Sequence, residues 1–273
     1  MSAYDQPIPI HRRAPTAGNY GDIPIALSDP RFHEQLVDAR SLGIAGENYY
    51  ARTDELNTPY DEIVPGSVRE LWCRRSISLM LIAVNDRLTR YGAEVFLWDA
   101  YRPVACQSAL WDFYWARFRR EYPEANDSAI TEHVHQYVSD PREFDPHNSH
   151  SWPAHVTGAA LDLTLRDKQS GALLDMGTHF DDMTSTSHSD YFERLLKSGQ
   201  IPADDTRLRN RRLLHWAMQE QGFTNYSYEC WHFDYGNQMY AMMLDFLGQS
   251  RGEAAWYGYI PLPASNCANM ERT

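Results

Sequence analysis

HVTGAALDLTL, residues 155–165, is the stretch on which the fold turns. From Gly158 onward it runs as a short segment of small and branched apolar residues, which reads as a β-strand entered through a glycine. Downstream, Asp167 to Gly171 reads as a turn leading into ALLDM, residues 172–176, the expected second strand of a hairpin. Upstream, AEVFLWDAYRP, residues 93–103, has the branched and aromatic character of another strand and ends at Pro103. FTNYSYECWHFDY, residues 223–235, reads as a further, aromatic-rich strand.

Between these runs the period changes from two to 3.6. Leu71, Ile77, Met80, Leu81, Val84 and Leu88 predict a helix over 67–91, stopped by Gly92. Trp111, Tyr114, Trp115 and Phe118 place an apolar stripe on a helix over 105–120. Leu208, Leu213, Leu214, Trp216 and Met218 predict a further helix over 207–222, and Gly248 closes one over 237–247. Strands and helices in this order give an α+β single domain, with helices packed on a mainly antiparallel central sheet.

The expected organisation is an irregular N-terminal arm (1–30), a domain over 31–247, and an irregular C-terminal tail (248–273). Residues 121–153 are polar and broken by prolines, and read as a partly helical insertion or lid. His147 or His150 within it could reach a site, although isolated loop histidines usually do not. In the tail, Trp256, Tyr257 and Tyr259 are either docking groups or packing for the domain.

A chain of 273 residues with 43% hydrophobic residues can fill one core. Its formal net charge of -12 opposes binding to nucleic acid or to an anionic membrane surface. Cys73, Cys106, Cys230 and Cys267 form no CxxC pair or short framework, which favours a reducing compartment and a cytoplasmic location. MSAYDQPIPIHRRAP lacks the apolar segment of a signal peptide. No run reaches the roughly 18 apolar residues of a membrane span.

His155 and Asp162 stand seven residues apart across the glycine entry. Imidazole and carboxylate are both normal zinc ligands, and a turn leading into a rigid strand can converge them on one ion. His232 supplies a third ligand and leaves a fourth position open, the composition of a catalytic zinc site. Glu229 would carry protons from outside the metal sphere. Alternation along a strand puts 229 and 232 on opposite faces, so this reading requires a bulge or a strand end; otherwise the pair is an ion pair at a sheet edge. Arg102, where a strand meets a proline, offers a fixed fork of donors to a developing oxyanion. Its neighbour Tyr101 reads as sheet packing or a substrate contact.

Taken together, WDAYRP around Arg102, HVTGAALDLTL from His155, DMGTHFDDM from Asp175 to Met183, NRRLLHWAMQEQGF from Asn210 to Phe223 and ECWH from Glu229 to His232 resemble the D-alanyl-D-alanine dipeptidase family. These are zinc enzymes whose best-known members contribute to vancomycin resistance, and the match runs in family order over roughly 35–247. The resemblance implies one Zn2+ per chain on His155, Asp162 and His232, with Glu229 as catalytic base. It makes Arg102 the residue that stabilises the tetrahedral intermediate, and Asp181 the one that receives the substrate's free ammonium group. Read without the family, Asp181 and Asp182 are turn or N-cap residues.

Two positions depart from the family. Pro153 stands where relatives commonly carry a serine that contacts substrate, which bears on substrate choice and leaves the metal set intact. Cys230 replaces an indole, and facing inward it would leave room for a larger substrate side chain. The expected activity is hydrolysis of a small dipeptide or amide with a free amino end. Two rivals are a metal-dependent amidase or carboxypeptidase of specialised metabolism and a non-catalytic peptide-binding protein. The sequence leaves oligomeric state open, a homo-oligomer included.

Overall fold

The computed structural model describes residues 3–11, 14–16, 18, 20–250, 252 and 254–263. Its centre is a five-stranded sheet of β2 (Ala45–Gly46), β4 (Ala93–Asp99), β5 (Ala160–Asp167), β7 (His232–Asp234) and β6 (Thr224–Asn225), in that spatial order. Every pairing is antiparallel except the short edge strand β2 against β4. A two-stranded antiparallel sheet joins β1 (Leu36–Asp38) to β3 (Trp72–Arg74). The helices are α1 (Arg75–Leu88), α2 (Val104–Glu121), α3 (Asp127–His135), α4 (Tyr191–Lys197), α5 (Thr206–Gln219) and α6 (Gln238–Phe246). The α+β architecture with helices on a largely antiparallel sheet is the one the sequence predicts.

Central strand β5 has both faces covered, so it reads as a near-continuous apolar run. Its alternation sends Leu161, Leu163 and Leu165 into a core shared with Ile77, Leu81, Val84 and Leu88 of α1 and Leu214, Ala217 and Met218 of α5. The opposite face, carrying Asp162, is turned away from that core. A second cluster joins Leu110, Trp111, Tyr114 and Phe118 of α2 to Ile130 and Val134 of α3. The 121–153 segment is thus a helix docked on α2, followed by loop and one 3-10 turn, Ser149–Ser151.

Several local expectations change. The helix expected over 67–91 begins only at Arg75, because Trp72–Arg74 pairs with β1 as a strand. The hairpin partner expected at 172–176 contributes a single bridge, Arg166 to Leu173. The run 223–235 is two short strands separated by a tight turn. The arm is irregular and firmly tied: Tyr4 Oη donates to Glu220 (2.6 Å), the Ile8 N–H to Glu193 (2.9 Å) and Trp216 Nε1 to the Gln6 carbonyl (2.8 Å). In the tail, Trp256 and Tyr257 are buried in the main core, the Arg31 guanidinium lies over the Trp256 ring, and Ala255 bridges to Ile25. These aromatics pack on the domain and present no docking face.

Candidate metal centre

Register builds the site. Asp162 sits in β5 directly between Asp99 of β4 and His232 of β7, so three polar side chains stand in a row across the sheet. Plain alternation would turn Asp99 into the core with Val95 and Leu97. A register shift between Leu97 and Asp99 sets an extra residue against β5 and re-aims it. His155 arrives from the 3-10 turn Ala154–Thr157, which Gly158 ends in the left-handed conformation (φ 65°). A Cβ on Gly158 would lie 2.3 Å from Leu36 Cδ2, so glycine is needed for space as well as for conformation.

The turn between β6 and β7 removes the obstacle that alternation raised for Glu229. Its backbone closes through Glu229 N–H to the Tyr226 carbonyl (3.0 Å) and His232 N–H to the Glu229 carbonyl (3.3 Å). Glu229 is therefore a turn residue, and its carboxylate comes within 3.7 Å of His232 Nδ1.

One donor atom from each of His155, Asp162 and His232 lies within 4.8 Å of the others. His155 Nε2 is 3.4 Å from Asp162 Oδ2, and His232 Nδ1 is 3.0 Å from Asp162 Oδ1. Ligands about 2.1 Å from a tetrahedral ion are about 3.4 Å apart, so the spacing suits a single zinc. The outward nitrogens are committed. His155 Nδ1–H donates to the Ala100 carbonyl (2.7 Å) and His232 Nε2–H to Asp234 Oδ2 (3.0 Å), which leaves the inward nitrogens as lone-pair donors. Around them are the buried carboxyls of Asp99, Asp162, Asp181, Glu229 and Asp234, with Arg102 as the buried guanidinium. Donor chemistry, spacing and this excess of buried carboxyl groups all fit a divalent cation.

Electrostatics separates the carboxyls by environment. Burial pushes Asp162 up, but His155, His232 and Arg102 outweigh it and hold the carboxylate down at about 2. Burial raises Asp99 to about 6 against the pull of Arg102, Asp181 to about 7 and Glu229 to about 8. The His155 imidazole is held well below its usual range by burial and by Arg102. For His232, Asp234 and Asp162 overcome burial and raise it. The field that favours a proton on His232 equally favours a metal cation.

Arg102 spends its fork on five acceptors: Nε on Asp99 (2.8 Å), Nη1 on Gln107 (3.0 Å), and Nη2 on Tyr50 Oη (3.1 Å), Asp162 (2.8 Å) and the lone pair of His155 Nε2 (3.4 Å). Its Nη2 edge therefore borders the metal position. Asp181, at φ 59°, accepts from Tyr60 Oη (2.7 Å), and its carbonyl accepts from Tyr114 Oη (3.0 Å). Asp181, Glu229, Arg102, Pro153 and the three ligand residues line one pocket, with Tyr137, Val138 and Ser139 of the 121–153 segment forming part of its wall.

Two expected substrate contacts lie elsewhere. Tyr101 packs with Leu36, Trp152 and Val156, on the far side of its strand end. Cys230 lines a different depression, beside Tyr49, Trp98, Phe180 and Trp231, because the turn that points Glu229 inward points its neighbour outward. His150 pairs with Asp22 at an exposed position, and His147 does not line the pocket. The sequence reading missed Asp99, Tyr50, Tyr60 and Asp234. Asp234 had a usable signal, since it follows His232 by two on a strand and so shares its face.

Comparison with known proteins agrees with this geometry. Curated D-alanyl-D-alanine dipeptidases are similar to the chain: one from Synechocystis sp. is 30% identical over 61% of this chain and 69% of its own length. One from Escherichia coli is 34% identical over 52% of this chain and 55% of its own length. One from Enterococcus faecalis is 25% identical over 72% of this chain and 89% of its own length. The model of the Peptidase_M15 family, described as D-ala-D-ala dipeptidase, matches residues 43–247, three quarters of the chain, and the chain belongs to that family.

Proposed function

We propose that this chain is a zinc metallopeptidase that hydrolyses a small dipeptide of the D-alanyl-D-alanine type, with a free amino end. The observation that carries the reading is a three-ligand centre with a non-ligating carboxyl, Glu229, opening into the same pocket. Zinc held by His155, Asp162 and His232 supplies Lewis-acid polarisation of the scissile carbonyl and of water. Glu229, buried and raised to about 8, takes the proton of the attacking water and returns it to the leaving amine. Arg102 directs Nη2 at the carbonyl oxygen as its charge develops. Asp181 receives the substrate ammonium, with Tyr60 fixing its carboxylate. The 121–153 segment acts as a wall of the pocket, and the location is the cytoplasmic one expected from cysteine usage.

Glu229→Gln tests the reading. Turnover on D-Ala-D-Ala should fall by roughly 10²–10⁴-fold with zinc content unchanged by elemental analysis. Undiminished turnover with full zinc occupancy would remove Glu229 from the mechanism.

One observation favours an amide with an uncharged leaving group as a second reading. Among the described residues lining the pocket, Arg102 is the sole Lys or Arg, and its donors already face five acceptors. Pro153 brings no hydroxyl in compensation. Relative kcat/KM on D-Ala-D-Ala and on its C-terminal amide separates the two substrate classes.

A further inference from the structure

A second cavity lies between the N-terminal arm and the segment entering α4. It is bordered by His11, His188, Asp190, Arg194, His215 and Asn225, and it shares no lining residue with the metal pocket. His215 on α5 is 7% exposed; the Asn225 side chain lies beside its imidazole, and neither ring nitrogen makes a hydrogen bond of good geometry among the described residues. His188 directs Nδ1 at Arg194 Nη2 (3.3 Å) and leaves Nε2 unpaired in the same way. Buried polar atoms without partners are uncommon because desolvation is then uncompensated, so such a cluster calls for an occupant.

The lining chemistry narrows what that occupant is. Burial holds the His215 imidazole down at about 4; burial, with the Arg194 and Arg211 cations, does the same for His188. Each is neutral near pH 7; His188 Nδ1 accepts from Arg194, so His188 offers its Nε2–H as a donor, while His215 carries one donor and one acceptor nitrogen. Asp190 and Arg194, 3.1 Å apart, present one charge of each sign on the same wall. The cavity volume is about 120 Å³, near the roughly 150 Å³ that accommodates a benzene-sized molecule of about six heavy atoms.

We infer that this cavity binds a small zwitterionic α-amino acid, its ammonium on Asp190 and its carboxylate on Arg194, with the imidazoles of His188 and His215 completing the contacts. The inference goes beyond the proposed hydrolysis and rests on the cavity alone, although that reaction releases products of this class. The site also touches the metal hairpin. Asn225 Nδ2 donates to the carbonyls of Glu229 (3.0 Å) and His232 (2.9 Å), while its Oδ1 accepts from Ser189 Oγ.

Calorimetric titration of the full-length zinc-loaded protein with glycine, D-alanine and L-alanine tests it, with propionate and ethylamine each keeping one charged end. At least one amino acid should bind, and propionate and ethylamine should bind about tenfold more weakly or worse. Arg194→Gln, at a side chain 42% exposed and so tolerant of substitution, should weaken the amino acid about tenfold, as should Asp190→Asn. Asp181→Asn should leave that binding in place. No heat from any of the three amino acids at millimolar concentration overturns the inference. So does binding that Asp181→Asn abolishes and Arg194→Gln spares, which would assign it to the metal pocket. Loss of the hydrolase reading changes neither result.

Discussion

Asp234 takes no part in the proposed chemistry, yet it fixes which nitrogen of His232 carries the proton. Its Oδ1 is held by Asn237 (2.7 Å) and its Oδ2 by the imidazole (3.0 Å), so the carboxylate cannot turn away. Asp234→Asn keeps the shape and removes the charge. Zinc affinity should fall about 10–100-fold, read by competition with a chelator, while the fold is retained; unchanged affinity would mean that the imidazole is oriented by other contacts. Asp181 carries a pH dependence of a definite sign. Burial raises it to about 7, so below that value it is protonated and offers no charge to a substrate ammonium. Two rising limbs should therefore appear in kcat/KM, one at about 8 where Glu229 becomes the ionised base and, for Asp181, a limb through about 7. Tyr60 Oη stabilises the anion, so Tyr60→Phe should move that limb to higher pH, and a limb that stays put in the pH–rate profile would count against Asp181. By linkage the same raised group favours the folded state below its ordinary range and loses that contribution as pH climbs toward 7.

At the scale of elements, the entry into β5 decides whether His155 can join Asp162. Gly158→Ala meets positive φ and a contact of 2.3 Å together. A loss of about 1–3 kcal/mol in denaturant unfolding is expected, with weaker zinc binding because the 3-10 turn carrying His155 must shift. An unaltered midpoint would show that the turn absorbs the change. This entry was legible in the sequence, because a glycine before an apolar run has a local cause. The helices were legible for the same reason, although 67–74 was drawn into α1 since Leu71 happens to keep its period. What could not be read were features made by pairing. The bulge that re-aims Asp99 exists only against β5, and Tyr60 reaches Asp181 across 121 residues. The aromatic run 223–235 hid its turn because tyrosine and tryptophan suit a strand and a packed turn equally. The metal ligands were recognisable as motifs before any argument could place them on one ion.

At the scale of the whole molecule, the metal pocket as it stands has a volume of about 30 Å³, enough for one or two waters and too little for a dipeptide. Admission of substrate therefore needs a wall to move. The sheet and the glycine-capped turn are fixed by the main core, whereas two walls are carried by connecting segments. One holds Tyr60, reaching Asp181 from the loop before β3, and the other is Tyr137–Ser139 after α3. The second is latched to the arm by Tyr20 Oη and Ser139 Oγ, 2.8 Å apart, and to α2 by Gln107 Nε2 on the Ser139 carbonyl (2.9 Å). Closure of these segments over a bound substrate would exclude water from Glu229 and Arg102. Hydrogen exchange of the zinc-loaded protein should show faster amides around Tyr60 and Tyr137–Ser139 than in β5. Addition of a dipeptide with a phosphinate in place of the scissile amide should slow exchange in those two segments more than anywhere in the sheet. Equal protection in free and inhibited protein would place the entrance elsewhere on the pocket.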